Sequence, residues 1–324
     1  MFKYALRRLL LFIPMLLGIT LVTFIFIHLA PGNFLDTLKL NPQVSPETIA
    51  VYEQKFHLDQ PWYVQYFFWL KNILTGNFGY SFAYKAPVAE ILYSRAGNTL
   101  LLSAAALILT WLMALPAGIF CARYSKHFFG RLVSLITQAG VAVPSFLWAF
   151  ILLYLAALTG WFPLGGMHAS SLEEMSAGMR LWDLMRHIAI PSLVIALPGA
   201  CALTRLLRAN MLEQMNNPYV TAAHARGIPH DRIIYHHVLK NALNPMITIF
   251  GYQFSDLLSG AALVEIICAW PGLGMVTLDA VRSQDVYLVM GTVLIGALLL
   301  MAGNLLADIL LAANDPRIRY QKAG

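Results

Sequence analysis

The chain has 324 residues, of which 59% are hydrophobic and only 12% are charged, and its formal charge is +6. A soluble domain typically carries about 25% charged residues, so this composition excludes an ordinary soluble protein and favours a membrane protein. The positive charge does not indicate a nucleic-acid partner, because the basic residues lie in short loops between apolar runs rather than in one patch. We therefore expect contact with membrane lipid and no binding of nucleic acid.

Six apolar runs are long enough to cross a bilayer as helices, which takes roughly 20 residues each. They cover residues 9–29, 99–121, 132–157, 188–207, 246–268 and 288–312. The first run follows the basic start "MFKYALRR", but it is too long for a signal peptide and lacks a small-residue cleavage pattern. The sequence thus predicts an all-α polytopic membrane protein with six transmembrane helices, the first of them uncleaved.

The distribution of lysine and arginine predicts the orientation of these spans. Cytoplasmic loops of membrane proteins carry an excess of these residues. Placing both termini inside puts most of the 22 basic residues in the cytoplasm: Lys3, Arg7, Arg8, Arg123, Lys126, Arg131, Arg205, Arg208, Arg226, Arg232, Lys240, Arg317, Arg319 and Lys322. We expect a multi-pass protein with a cytoplasmic N-terminus and a cytoplasmic C-terminus.

The segment between the first two spans, residues 31–97, is then extracytoplasmic. One helix is predicted from Ser45 and a second from Pro61, because each position combines a capping residue with a proline suited to a first helical turn. The second helix is dense in Trp, Tyr and Phe, which suits either the membrane–water interface or packing on neighbouring spans. A turn-rich link follows, and we expect a short helix to begin near Pro87.

A polar stretch interrupts the second half of the chain, "YVTAAHARGIPHDRIIYHHVLKNALNP", residues 219–245. Pro218 precedes a short helical run of small residues, and Gly227 ends that run as glycine does where φ must become positive. Pro229 begins a second helix, with Asp231 in its first turn, where a negative charge complements the helix dipole. The stretch therefore predicts a cytoplasmic helical hairpin with a glycine corner.

Two features of this hairpin leave alternatives open. The second helix has an apolar face that either packs on the chain's own spans or is gripped by a partner: Ile234, Tyr235, Val238, Leu239 and Ala242. We expect Ala223, on the first helix, to lie on a face that a partner binds tightly. The four histidines of the hairpin do not share one helical face, so no metal site is predicted: His224, His230, His236 and His237.

Two carboxylates fall within the fifth predicted span. An ionisable residue inside a membrane costs a few kcal/mol and is therefore a candidate functional residue. Asp256 lies deep in the span and either faces a water-filled path or pairs with a cation of a partner subunit. Glu265 lies near the outer end, where it is a candidate for the same role or an interfacial carboxylate bonded to the following loop.

Several segments resemble, in order, the first (B-type) permease subunit of dipeptide and oligopeptide ABC importers. "YVTAAHARG" resembles the cytoplasmic Glu-Ala-Ala…Gly loop of that family, with Thr221, Ala222, Ala223 and Gly227 at its marked positions. Thr221 stands where the generic loop has glutamate. Further similar segments run along nearly the whole chain: "RRLLLFIPMLLGITLVTF", "HLAPGN", "LDQPWYVQYFFWLKNILTGNFGYSF", "VPSFLWAFILLY", "RHIAIPSLVIALPG", "EIICAWPGLG" and "NLLADILLAANDPRIR".

The resemblance implies a type I ABC importer transmembrane domain in the bacterial inner membrane. Its implied partners are a homologous second permease subunit in a heterodimer, two cytosolic ABC ATPases and an extracytoplasmic solute-binding protein. The implied cargo is a dipeptide, an oligopeptide or a peptide-like solute. The implied contact with the ATPases is the hairpin, through Tyr219, Thr221, Ala222, Ala223, Gly227 and Pro229.

The resemblance also suggests a division of the chain. Residues 1–96 form an N-terminal span plus the extracytoplasmic segment, and residues 97–316 form a five-helix core with a coupling loop at 212–245. Residues 317–324 form a cytoplasmic tail.

Two other functions are alternatives to import driven by ATP. A secondary transporter driven by an ion gradient usually shows repeated halves, and no internal repeat is evident in this sequence. An intramembrane serine protease would use Ser145 or Ser103 with a histidine, but no histidine other than His28 falls within a predicted span and no Gly-x-Ser-x-Gly motif occurs. The sequence has no Gly-Lys dipeptide and hence no P-loop. We therefore expect a non-catalytic subunit without cofactors of its own, with ATP and Mg²⁺ bound by partner ATPases.

Overall fold

A computed structural model describes residues 2–29, 47, 60–169 and 175–314, and nearly all of its regular structure is helical. The long helices, in chain order, are α1 (Phe2–Leu29), α2 (Trp62–Leu74), α3 (Val88–Arg123), α4 (Phe128–Ala142), α5 (Ser145–Thr159), α6 (Ala177–Met215), α9 (Leu239–Ile267), α10 (Leu273–Arg282) and α11 (Val286–Asn314). The hairpin contributes α7 (Pro218–Ala225), α8 (His230–Arg232) and a π-helix (Ile233–Val238). Strands β1 (Tyr80–Ser81) and β2 (Ala86–Pro87) pair in antiparallel fashion.

The apolar helices agree with the predicted class of membrane protein. In the described part of the chain, four helices are long and apolar enough to cross a membrane, within Arg8–Leu29, Val88–Arg123, Ala177–Met215 and Val286–Ile309. A bent pair, α4 and α5, passes the same criteria when its two helices are taken together. The predicted fifth span lies within α9, which is not among these helices, so the count of six remains a prediction.

The predicted third span, residues 132–157, is not one straight helix. Its two parts, α4 and α5, are bent by 110° relative to each other. Pro144 adopts an extended conformation at the break, as does Val143 before it. Proline disfavours helical dihedrals in the preceding residue and lacks the backbone N–H, so the helix ends there and another begins. Pro191 and Pro198, by contrast, lie inside the continuous helix α6.

Two further predictions concern the segment before α3. The aromatic helix is confirmed as α2, whereas the helix predicted from Ser45 lies outside the described residues. Trp69 on α2 is buried while Tyr63 and Phe67 are exposed, so one side of the helix is packed and the other is free. The short helix expected near Pro87 is instead the first part of the 36-residue helix α3.

The chain divides into two compact units, each with its own core. Among the described residues, the first unit contains those within 100–270 and 302–314, and the second contains those within 2–99 and 271–301. In the first unit, α6 packs on α4, α5 and α9. Small residues permit close contacts with α6, because a Cβ added at Gly140 would lie 2.6 Å from the Cys201 sulfur.

The second unit is built around α1, α2, α10, and parts of α3 and α11. Phe24 of α1, Trp69 of α2 and Met290 of α11 form one buried cluster within this unit. Val88 and Leu92 of α3 pack with Leu273 and Val276 of α10 in another. Each unit therefore has an apolar core that can position its own polar groups.

Candidate functional site

The first arm of the hairpin is bounded by local backbone signals. Asn217 is extended, Pro218 occupies the first turn of α7, and Gly227 has a φ of 73°. The Gly227 N–H donates to the carbonyl of His224 at 2.9 Å, and the Ile228 N–H donates to the carbonyl of Ala223 at 3.2 Å. This pair of bonds is the Schellman arrangement, which requires a left-handed residue at the glycine position. The predicted positive φ at Gly227 is confirmed.

The second arm differs from the α-helix that the sequence predicted. Pro229 is extended, only one short α-helical turn follows, and Ile233–Val238 is a π-helix that continues into α9. Hydrogen bonds from residue i to i+5 bring residues five apart onto the same side of a π-helix. Accordingly Ile233 and Val238 are both buried, together with Ile234.

The inward side of the hairpin packs on the chain's own helices. Val220 and Ala223 of α7 join the buried residues of the second arm in one cluster with α3 and α6: Ala114, Ala122, Leu203, Leu207, Met211, Val220, Ala223, Ile233, Ile234, Val238, Ala242 and Met246. Ala223 is only 8% exposed. The expectation that Ala223 lies on a face bound by a partner is therefore wrong, because α7 turns this residue towards the cluster. The apolar stripe of the second arm also packs within the chain.

Tyr235 departs from its predicted place in that stripe. Its side chain is 46% exposed, whereas Ile233, which the prediction left out, is fully buried. The π-helix explains the exchange, because its wider turn rotates the side chains relative to an α-helix.

The outward side of the hairpin presents the other predicted coupling residues. Thr221, Ala222, Gly227 and Pro229 are exposed and Tyr219 is half-buried, its hydroxyl donating to Gln214 Oε1 at 3.1 Å. A Cβ added at Gly227 would meet nothing within 4 Å. The corner is thus an open surface of small side chains that another protein can approach closely.

Two of the hairpin histidines lie together across the corner. The rings of His224 and His230 stack with their centroids 5.6 Å apart. No cluster of three or more His, Cys, Asp or Glu side chains suitable for a metal ion occurs among the described residues.

A charged contact links the hairpin to the end of α3. Arg123 Nη2 lies 2.6 Å from Asp231 Oδ1, and the Arg123 guanidinium also lies over the ring of Tyr124. The sequence predicted Asp231 only as a dipole partner in its own helix and did not pair it with Arg123. No local signal could reveal this pair, because only the packing of α3 against the hairpin brings the two side chains together.

The two carboxylates of α9 have different surroundings. Asp256 is exposed, and it falls on a stripe of exposed residues spaced three or four apart: Tyr252, Asp256, Gly260 and Leu263. Glu265 is 0% exposed and lies on the packed side of the helix with Val264 and Ala261. The structure therefore separates residues that the sequence grouped as candidates for a path or a partner contact.

The packed side of α9 also carries a buried polar contact that the sequence did not indicate. Trp111 Nε1 donates to Gln253 Oε1 at 2.9 Å, and Gln253 is only 8% exposed. A Cβ at Gly199 would lie 3.2 Å from the Gln253 side-chain nitrogen, so glycine makes room for this amide. These residues join α3, α6 and α9 inside the first unit through polar groups as well as apolar ones.

In the second unit, a buried carboxylate organises the turn at the β1–β2 ribbon. Asp285 is 0% exposed and precedes α11, where its Oδ1 accepts the Leu288 N–H at 3.2 Å as a helix N-cap does. Its Oδ2 accepts the Ser81 hydroxyl at 2.7 Å and the Ala83 N–H at 3.1 Å. Sequence reasoning missed Asp285 because both Ser81 and Ala83 are far from it along the chain.

The sequence of this chain matches a known family of membrane proteins along nearly its whole length. Residues 114–320 match the family described as binding-protein-dependent transport system inner membrane component, and residues 1–103 match the N-terminal segment of such components. The chain belongs to this family. It is therefore a multi-pass inner membrane protein and a permease subunit of an importer, not an enzyme.

Relatives match this component along its whole length. The oligopeptide transport system permease protein AppB of Bacillus subtilis is 38% identical, over 99% of this chain and 100% of the relative. The dipeptide transport system permease protein DppB of Alkalihalophilus pseudofirmus is 34% identical, over 99% and 100%. DppB of Escherichia coli K12 is 32% identical over the same shares. The predicted resemblance to a family of permease subunits is confirmed, and binding-protein-dependent import is favoured over the alternatives that the sequence left open.

Proposed function

We propose that this inner membrane component forms half of a translocation path for dipeptides, oligopeptides or peptide-like solutes. The support is the agreement among its relatives, which are named as oligopeptide and dipeptide permeases and match it from end to end. A homologous second permease forms the other half, and a solute-binding protein delivers cargo from outside. ATP and Mg²⁺ bind to two cytosolic ATPases, since the chain itself has no P-loop.

The hairpin is the surface that couples this subunit to an ATPase. The observation that carries this step is the open corner at Gly227, where Thr221, Ala222 and Pro229 are exposed around a backbone turn with no side chain. Its inner side is anchored by Ile233, Ile234 and Val238, all at most 1% exposed. Because the hairpin is anchored to α3 and α6, a displacement of its outer surface by the ATPase also moves these helices.

The orientation follows from the distribution of charge. With both termini in the cytoplasm, the hairpin and its basic side chains lie on the ATPase side. Cysteines introduced singly at Lys85 and Arg232, in a chain lacking the native cysteines, should react with an impermeant reagent from opposite sides. Both positions are exposed. Reaction of both from the outside would contradict the orientation.

The exposed stripe of α9 meets the path rather than lipid. A carboxylate at the centre of a bilayer costs about 2.5–3.5 kcal/mol, so the side of α9 that carries Asp256 is the side least suited to face acyl chains. Asp256 either faces water in the path or meets a cation of the second permease along it. Asp256→Asn should lower uptake while the ATPases still co-purify, and normal uptake would remove Asp256 from the path.

The coupling step is tested in vesicles that contain both permeases and the ATPases, with the binding protein added outside. Ala222→Asp places a carboxylate on the exposed corner, and Gly227→Val strains its backbone. Both should weaken co-purification of the ATPases by about tenfold, which corresponds to about 1.4 kcal/mol, and should lower the peptide taken up per ATP hydrolysed. Ala89→Asp is the matched control, because Ala89 is exposed in the second unit beside Glu90.

Ala223→Asp should behave differently from Ala222→Asp. Ala223 lies within the apolar cluster, so an aspartate there buries a carboxylate and destabilises the hairpin itself. Normal docking and coupling in Ala222→Asp and Gly227→Val would contradict the proposed role of the hairpin. Loss of uptake on collapse of the proton gradient at constant ATP would instead favour an ion-driven transporter.

A further inference from the structure

The contact between Arg123 and the second arm is the directional link between α3 and the hairpin. Arg123 Nη2 lies 2.6 Å from Asp231 Oδ1, and its guanidinium also lies beside the Tyr235 side chain. Asp231 and Tyr235 are four residues apart and both exposed, so one guanidinium spans about one turn of the arm. A planar guanidinium with several fixed donors can bind the carboxylate and face the neighbouring ring at the same time, which suits this position better than an ammonium does.

The rest of the contact between α3 and the hairpin is apolar. Ala114 and Ala122 of α3 share a buried cluster with Ile233, Ile234 and Val238. Apolar contact holds surfaces together but has little directional preference, so it permits the arm to rock or slide on α3. A charged hydrogen bond adds a preferred distance and angle. The geometry at Arg123 therefore selects one orientation of the arm among those that the cluster allows.

The exposure of the pair limits its strength. The side chains of Arg123 and Asp231 are 26% and 65% exposed. An exposed ion pair changes an equilibrium by about fivefold at most, so it has little influence on whether the protein folds. A change of about fivefold in an equilibrium is nevertheless large enough to bias the orientation of a small element that has two positions. This strength suits a link that helps to position the hairpin.

We infer that Arg123 is a positioning residue for coupling, which acts through Asp231 and Tyr235 to keep the open Gly227 corner in register with α3. The inference rests on the proposed role of the hairpin as the ATPase contact. A movement of the ATPase that displaces the corner then moves the end of α3 with it. Without the link, the arm stays attached through its apolar side, but part of its displacement is lost as rocking on α3.

The test compares single variants with an exchange of the two charges. Arg123→Gln and Asp231→Asn should each lower peptide uptake per ATP by about two- to fivefold in the reconstituted complex. Co-purification of the ATPases and the melting temperature should stay as in the wild type. The double variant Arg123→Asp with Asp231→Arg should restore much of the uptake per ATP. Arg131→Gln is the matched control, because Arg131 is an exposed arginine in the first turn of α4.

Arg123→Lys separates charge from geometry. Lysine keeps the attraction to Asp231 but lacks the planar guanidinium with its fixed donor directions, so uptake per ATP should fall between that of the wild type and that of Arg123→Gln. A purely structural role would instead lower the melting temperature in step with uptake, and that result would overturn the inference.

Two further outcomes also count against the inference. Normal coupling in both single variants would overturn it, and so would a double variant that stays as poor as the singles. Ala222→Asp in the same preparation shows whether only the positioning role of Arg123 fails or the proposed hairpin contact fails as well. If Ala222→Asp weakens docking while the Arg123 and Asp231 variants couple normally, only the positioning role is wrong. If Ala222→Asp also docks and couples normally, the proposed hairpin contact fails as well.

Discussion

Two turns of this molecule, each containing a glycine with positive φ, are held in opposite ways. The hairpin turns at Gly227 and is anchored by buried apolar side chains, with its charged groups exposed. The ribbon turn, residues 79–87, begins at Gly79 and is anchored by the buried carboxylate of Asp285. Apolar packing tolerates small displacements, whereas buried hydrogen bonds are costly to break or misalign. The hairpin can therefore shift more easily than the ribbon turn, which its buried hydrogen bonds hold in place.

The largest expected effect is the removal of the carboxylate that holds the ribbon turn. Asp285→Ala deletes three hydrogen bonds, to Ser81, Ala83 and Leu288, and leaves buried donors without their acceptor. We expect a loss of about 3–5 kcal/mol in the free energy of unfolding, visible as a lower melting temperature in detergent. Asp279→Ala is the control, since that carboxylate makes a solvent-exposed contact with Tyr84. Equal melting temperatures for both variants would show that Asp285 does not anchor the turn.

The two glycines allow the comparison to be made with one chemical change. Gly79→Ala combines a φ of 86° with a clash, because its Cβ would lie 2.6 Å from Cδ1 of Tyr287. Gly227→Ala meets only the cost of its φ of 73°, which is about 1–2 kcal/mol. The melting temperature should therefore fall further for Gly79→Ala. A smaller drop in melting temperature for Gly79→Ala than for Gly227→Ala would mean that the ribbon turn adapts more easily than its buried hydrogen bonds indicate.

The smallest expected effect concerns the exposed edge of the ribbon turn. The Tyr84 hydroxyl donates to Asp279 Oδ2 at 2.9 Å. Tyr84→Phe should change the free energy of unfolding by no more than about 0.5 kcal/mol at neutral pH, because the contact is open to solvent. The melting temperature of Tyr84→Phe and the wild type should thus nearly coincide, and a large drop would show that the edge contributes to the anchor.

The same contact has a pH dependence of known sign. Partial burial raises the pKa of Tyr84 above its ordinary value, and the hydrogen bond to Asp279 adds to the effect. A raised pKa means that the contribution of the protonated hydroxyl is fully present below the ordinary tyrosine pKa of about 10 and is lost as the pH rises through the higher folded value. Ultraviolet titration of the wild type against Tyr84→Phe should show a tyrosine that ionises later than its ordinary pKa, and Asp279→Asn should bring its ionisation closer to that value.

Local sequence signals predicted the elements whose ends depend on a few neighbouring residues. Pro218, Gly227 and Pro229 mark the hairpin correctly, because proline and glycine restrict or release the backbone at their own positions. The aromatic helix α2 and the class of membrane protein were predictable for the same reason: span length and composition are local properties.

The faces of the elements were much less predictable. Ala222 and Ala223 are chemically identical neighbours, yet one is exposed and the other is buried. Their difference depends on the direction from which α3 and α6 approach α7. The exposure of Tyr235 depends on a π-helix, and the sequence periodicity assumed an α-helix. The bend between α4 and α5 lies at Pro144, and a proline by itself does not set the angle of 110° between the two helices.

The amino-acid sequence alone is enough to identify an α-helical membrane protein of this family and to locate its glycine corner. The packing of α3 and α6 against the hairpin fixes which of its sides is open and which residues hold it. Arg123 and Asp231 meet, as do Ser81 and Asp285, because packed helices bring distant parts of the chain within hydrogen-bonding distance. Such pairs leave no pattern in the residues beside them, since the free energy that forms them comes mainly from apolar burial elsewhere in each unit.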